Sequence, residues 1–397
     1  MWIPRRLEPR LRQLVATRPA VVLTGARQTG KTALARHLFP DHHYVSLDLP
    51  SEAAQAEGDP GAFLARHGEP LIIDEVQYAP ALFRHLKLRI DGERDRCGRF
   101  LLTGSQPFVL MRDVADSLAG RAAIVSLEGL SLGEIRDADP QVAIEETLLR
   151  GGFPELWARR ELDPAEYHAS YVASYLERDL RSLLQVSSLH DFERFLRACA
   201  LRSAQLLNRA ELARDVGISG STAAIWLSLL VRSGLVTLVE PWFGNATRRL
   251  TRSPKLYLAD TGLQAWLLGI GSTDDLLRSP LRGAIWETAV LGELRRELAL
   301  RPLAARLAFW RDRSREVDVL LERGGRYWLA DAKWGANPGR AETRRLRQVA
   351  AELPQGSVEA MAVICRSGHR HPLGEGIEAL PPWELAAAWG LRPPAGG

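Results

Sequence analysis

Thirteen residues, Ala20-Val-Val-Leu-Thr-Gly-Ala-Arg-Gln-Thr-Gly-Lys-Thr32, constrain the fold of this chain more than any other stretch. A short β-branched run ends in Gly25-x-x-x-x-Gly30-Lys31-Thr32, and a helical pattern from Ala33 to Phe39 follows. Strand, glycine-bounded loop and helix in that order is the context a phosphate-binding loop requires. The backbone N–H groups of Gly25, Ala26, Arg27, Gln28, Thr29 and Gly30 would curl around phosphates, and the helix start adds the positive end of its dipole. Lys31 would reach the β- and γ-phosphates, and the Thr32 hydroxyl would ligate Mg²⁺. The ligand implied is ATP with magnesium.

Two further strands complete that site. Pro70-Leu-Ile-Ile-Asp-Glu-Val76 is an apolar run ending in two carboxylates. Asp74 is placed to bind in the Mg²⁺ shell and Glu75 to polarise the attacking water. Arg99-Phe-Leu-Leu-Thr-Gly-Ser105 ends in small polar residues. Ser105, with Thr103 and Gln106 beside it, is the candidate sensor of the γ-phosphate. Arg121, before the apolar run Ala122–Leu127, is a candidate for stabilising transition-state charge in a neighbouring subunit. Strands at 20–24, 43–49, 70–74, 99–103 and 122–127 alternate with helical stretches at 33–39, 51–66, 80–91 and 107–118. That alternation predicts a parallel sheet covered on both faces, with its chemistry at the C-terminal edge.

These residues carry a resemblance. Gly25–Thr32, Leu71–Glu75, Leu102–Ser105 and Leu118–Arg121 resemble the AAA-type ATPase domain of a large prokaryotic family of ATP-binding proteins, whose members add a C-terminal domain of unknown function. Gly151-Gly-Phe-Pro-Glu155, Tyr175–Asp179, Lys255–Gly262, Trp286-Glu287 and Glu316-Val-Asp318 are similar to that family as well, so the likeness covers nearly the whole chain. The resemblance implies ATP binding and hydrolysis in a switch or motor, and it supplies no substrate.

Composition narrows the class. At 397 residues, 46% hydrophobic and 25% charged, the chain is long enough for two to four globular domains. No apolar run reaches membrane-spanning length, no secretory signal is visible near Met1, and no membrane partner is expected. Cys97, Cys199 and Cys365 are odd in number and far apart, which excludes a disulfide scaffold and suits a reducing cytoplasm. Of the 52 basic residues only four are lysine, at 31, 87, 255 and 333. A lysine kept in so arginine-rich a chain points to a position where a compact ammonium is needed.

Four segments are expected: an ATPase domain at 1–143, a helical lid at 144–207, a winged-helix-like segment at 208–271, and a restriction-endonuclease-like α/β domain at 272–397. Ile144 to about Leu207 reads as helical with no strand alternation, and Arg150 or Arg178 is placed to sense phosphate from such a lid. Helix Asn208–Val216, turn Gly217–Ser219, helix Ser221–Arg232 and a hairpin through Gly244-Asn245 give a helix-turn-helix with a wing. Residues 201–258 hold eight basic and three acidic residues, with Arg248, Arg249 and Arg252 on the wing as candidate DNA phosphate contacts. The second helix has almost no side chains able to read base edges, so protein docking is an equal reading. In the last segment, Asp318 and Asp331-Ala-Lys333 have the spacing of an acid followed by D-x-K. Asp318 and Asp331 would bind Mg²⁺, Lys333 would position water, and Glu287 would add a carboxylate to the metal shell. Three functions follow: an ATPase switch acting on DNA or a protein partner (itself or another chain), a metal-dependent nuclease regulated by ATP, and a non-catalytic nucleotide-gated adaptor.

Overall fold

The computed structural model describes residues 2–105, 117–175, 189–243, 253–301 and 303–391. Gln106, Arg178, Arg248, Arg249, Arg252, the 107–118 helix up to residue 116 and the Gly244-Asn245 turn lie outside them. The chain forms two compact units, one of Trp2–Leu130 with Arg232–Gly234, the other of Ser131–Val231 with Leu235 onward.

The first unit is a five-stranded sheet in the order β2-β3-β4-β1-β5, with every pairing parallel. Its strands are β1 Ala20–Thr24, β2 His43–Ser46, β3 Leu71–Asp74, β4 Phe100–Gly104 and β5 Ala122–Ser126. All residues of β1, β3 and β4 are buried, which is why these strands read as unbroken apolar runs and do not alternate. The helical stretch expected at 51–66 is two helices, Pro50–Gly58 and Pro60–His67. Pro60 cannot donate within a continuing helix, and the Asp59 side chain instead accepts from the Ala62 N–H at 2.9 Å to start a new one.

The second unit begins with short helices at Leu132–Ala138, Ile144–Arg150, Pro154–Ala158, Pro164–Tyr175 and Leu189–Leu201. The stretch to Leu207, read as wholly helical, also contains the strand β6 Gln205–Leu206. Helix Arg209–Val216 is capped by the Asn208 side chain, turns through Gly217 at φ 81°, and leads into helix Gly220–Arg232. Trp226 of the latter packs edge-on against Phe192 and Phe195. β7 Val236–Val239 and β8 Lys255–Leu258 join β6 in an antiparallel sheet ordered β6-β8-β7.

The C-terminal part is a six-stranded mixed sheet, β13-β14-β12-β11-β10-β9. Its strands are β9 Ala305–Arg311, β10 Glu316–Arg323, β11 Arg326–Ala332, β12 Val358–Ile364, β13 His371–Gly374 and β14 Ile377–Leu380. His371 opens the edge strand β13, where Pro372 is tolerated. The helix Arg282–Ala299 is buried by Trp286, whose indole N–H donates to the Ile364 carbonyl at 3.0 Å. A β-bulge between Val317 and Leu320 kinks β10 where Asp318 sits.

Candidate nucleotide site and a C-terminal carboxylate cluster

The loop after β1 is built for close backbone approach. Gly25 has φ +145°, and a Cβ there would stand 2.1 Å from the Leu127 carbonyl oxygen, so no other residue fits. Gly30 caps the helix Lys31–Leu38 at φ 89°, and Gln28 takes the left-handed region at φ 59°. Such non-glycine backbone costs about 1 kcal/mol and persists only where its surroundings impose it. Arg5, which the sequence did not single out, supplies part of that constraint. Its buried guanidinium donates to the Thr29 carbonyl at 3.0 Å and to the Glu128 carbonyl at 2.6 Å, tying the loop to the chain leaving β5.

The expected side chains converge at the C-terminal edge of the sheet. Lys31 Nζ donates to the carbonyls of Gly25 and Ala26 at 3.1 and 2.7 Å. Burial lowers its ammonium to about 8, against the opposing pull of Glu75 and Asp74. Thr32 Oγ1 donates to both Asp74 oxygens at 2.9 and 3.1 Å, and Thr103 and Tyr44 hydroxyls donate to the same carboxylate. Glu75 takes the left-handed region at φ 53°. Oε2 accepts from the Ser105 N–H and hydroxyl at 3.1 and 2.9 Å, and from the Gln77 amide. Burial alone would raise the Glu75 carboxyl; Gln77, Ser105 and the Lys31 charge outweigh it and hold it below the usual carboxylate range. Among the described residues, hydroxyls and amides hold these two carboxylates, and neither has a cation within ion-pairing distance. That donor set, with oxygens gathered around Thr32 and Asp74, fits a hard divalent ion.

Arg121 does not join this site. It precedes Ala122, which pairs with Ala20, so it stands where β1 begins, while the loop leaves β1 after Thr24. Its guanidinium grips Asp91 with two contacts of 2.7 and 2.8 Å. A parallel sheet puts strand starts and strand ends on opposite edges, so Arg121 is remote from the loop of its own chain. Arg150, expected to sense phosphate, bonds Glu146 and the carbonyls of Leu156 and Arg160.

In the C-terminal sheet, Asp318, Asp331 and Lys333 come together. The pairing of Val319 with Ala330 places Asp318 and Asp331 as the next facing positions on β10 and β11. Lys333 Nζ lies 3.6 Å from Asp318 and 3.4 Å from Asp331, and Arg345 Nη1 bonds Asp331 at 3.1 Å. Burial and the nearby Asp318 charge push the Asp331 carboxyl up to about 7. Asp318 is held low, Lys255 and Lys333 overcoming its burial. Glu287 faces another partner: Lys255 Nζ at 2.7 Å and the Tyr257 hydroxyl at 2.6 Å. Lys255 had drawn attention only as one of four lysines within a family-like stretch.

An AAA domain model matches residues 17–136, a domain of unknown function (DUF8612) residues 141–274, and a second (DUF4143) residues 282–385. Among solved structures, the chain is similar to the Walker-type ATPase PABY2304 of Pyrococcus abyssi, at 17% identity over 67% of this chain and 96% of that one, TM-score 0.46. It is also similar to the RuvB Holliday junction branch migration motor of Thermotoga maritima, at 18% identity over 58% and 88%, TM-score 0.31. The uncharacterized proteins Rv2008c of Mycobacterium tuberculosis and Mb2031c of Mycobacterium bovis are each 34% identical over 96% of this chain and 84% of their own length. With an AAA-type ATPase domain at residues 17–136 and identity running almost end to end, the chain belongs to the family of these two mycobacterial proteins.

Proposed function

We propose that the N-terminal domain binds Mg-ATP across Gly25–Thr32 and hydrolyses it, as a nucleotide-driven switch acting on DNA or a protein partner. The observation that carries this reading is the gathering of Lys31, Thr32, Asp74, Glu75 and Ser105 at one sheet edge, with neither carboxylate in an ion pair at contact distance among the described residues. Loop amides and the Lys31 ammonium would take the phosphate charge. Thr32 and Asp74 would hold the magnesium ion, which supplies neutralisation of the β- and γ-phosphate oxygens. Glu75 would accept a proton from the water whose oxygen bonds to the γ-phosphorus while the bond to the bridging oxygen breaks. Ser105 sits beside that step by fixing the Glu75 carboxylate, so its part is to position the base as well as to sense phosphate.

The helix-turn-helix at 209–232 followed by β7 and β8 supports a winged-helix reading for the middle segment, the place where a partner would be engaged. Trp226, Leu227 and Leu230 of its second helix are buried, and Ile225 is 53% exposed, which suits protein docking as well as a phosphate backbone. The six-stranded sheet with Asp318, Asp331 and Lys333 supports a restriction-endonuclease-like reading of the C-terminal fold. Phosphate release from ATP, measured on the full chain with and without double- and single-stranded DNA at low salt, tests the proposal. Turnover that DNA accelerates supports a DNA-acting switch, turnover indifferent to DNA points to a protein partner, and no turnover under any condition refutes hydrolysis.

A further inference from the structure

We infer that Lys255 is the resident cation of the C-terminal carboxylate cluster, its ammonium standing where a divalent ion would have to sit. Lys255 opens β8 and is 1% exposed. Its Nζ lies 2.7 Å from Glu287, 2.5 Å from Glu316 and 3.4 Å from Asp318, and 5.5 Å from the centre of the Phe309 ring. An ammonium has three N–H donors, and three carboxylates surround this one. The helix Arg282–Ala299 brings Glu287, and the bulged strand β10 brings Glu316 and Asp318.

Four acids, Glu287, Glu316, Asp318 and Asp331, face four bases: Lys255, Lys333, Arg345 and Arg311, the last 2.8 Å from Glu316. The remaining Asp318 oxygen accepts from the Ala332 N–H at 2.9 Å. A magnesium site needs oxygens in an octahedron at about 2.0–2.1 Å with uncompensated negative charge. Here Glu287, Glu316 and Asp318 lie at hydrogen-bonding and ion-pairing distance from an ammonium nitrogen. Glu287 and Asp318, two of the three acids expected to share an ion, therefore face an ammonium, while Asp331 pairs with Lys333 and Arg345 and keeps a buried Oδ1 that no hydrogen bond reaches.

The ammonium comes from the small sheet β6-β8-β7, and the acids come from the C-terminal sheet and its helix. Lys255 is therefore also an ionic peg joining two segments of the chain, reinforced where Trp242 N–H donates to the Phe309 carbonyl at 2.7 Å. Removing the peg leaves three convergent carboxylates, which is a cation site.

The test uses Mn²⁺ alone, titrated into the full chain without nucleotide and followed by the electron paramagnetic resonance of the free ion. The parent chain carries Asp74→Asn, which removes the N-terminal carboxylate and makes the result independent of the ATP reading. The parent is expected to take up no Mn²⁺ at the C-terminal cluster. Adding Lys255→Ala should create one site at least about tenfold tighter than any weak binding of the parent, the effect of deleting an adjacent positive charge. A further Asp318→Asn should erase it. An ion bound by the parent itself and lost with Asp318→Asn would overturn the inference, as would Lys255→Ala that folds and gains nothing. Should Lys255→Ala fail to fold, the parent titration alone decides. Mn²⁺-dependent nicking of supercoiled DNA by wild type, abolished by Lys333→Ala, would overturn it independently.

Discussion

Two clusters among the described residues hold a lysine and a pair of carboxylates, and they differ in what the carboxylates are paired with. At the end of β1, Lys31 points into backbone carbonyls, and Asp74 and Glu75 are held by Thr32, Thr103, Tyr44, Ser105 and Gln77. Neutral donors fix the geometry of those acids and leave their charge unspent. Around Asp318 and Asp331, by contrast, Lys255, Lys333 and Arg345 pair with the acids that the strands bring together. The difference teaches how to separate a site that awaits a cation from a site that is complete. Counting carboxylates does not do it; asking whether their partners are hydroxyls or ammonium groups does.

The largest effect should come from breaking the first cluster at its base. Glu75→Gln keeps the shape and the hydrogen bonds from Ser105 but cannot accept a proton, so ATP turnover is expected to fall about 10²–10⁴-fold with nucleotide affinity intact. Steady-state phosphate release paired with fluorescent-nucleotide binding separates the two quantities. Equal loss of binding and turnover would mean that Glu75 is structural.

A pH series sharpens the same site. Lys31 titrates near 8 in the free protein because burial lowers it from 10.5. ATP affinity should therefore weaken as pH rises through 8, by up to about tenfold per unit, since only the charged form serves the phosphates. The nucleotide-free chain should behave in the reverse sense. Between 8 and 10.5 the unfolded state holds more protons on this residue, so its burial penalty is relieved as pH rises and its contribution to stability increases. Affinity flat from pH 7 to 10 would contradict the Lys31 assignment.

Smaller effects follow. Ser105→Ala removes the hydroxyl and leaves the backbone N–H on Glu75, so turnover should drop about tenfold and affinity little. Gln77 would partly compensate, and a double variant with Gln77→Ala should lose more than Ser105→Ala alone. Arg121→Ala should leave single-chain turnover unchanged, because its partner is Asp91 at the far edge of the sheet. Loss of turnover in that variant would return Arg121 to the chemistry.

What could be read from the sequence tracks how local each feature is. Gly25–Thr32 is eight adjacent residues whose backbone does the binding, so its pattern is visible without a fold. The parallel sheet was legible because β1, β3 and β4 are buried on both faces and written as unbroken apolar runs. Arg5 was not legible: it reaches Glu128 across 123 positions, and one arginine among 48 carries no label. Lys255 meets Glu287 and Asp318 across 32 and 63 positions, and its traces were the scarcity of lysine and its place in a family-like stretch. The break at Asp59-Pro60 was written in the residues themselves, a helix stop and a helix cap side by side.

Calorimetric titration of Mg-ATP into the full chain and its Lys31→Ala variant tests the central claim most directly. Saturable binding at one site per chain, lost in the variant while its thermal unfolding without nucleotide persists, is the result expected. Equal affinity in the two proteins would contradict the account, because the triphosphate would then be held somewhere other than the loop between β1 and its helix.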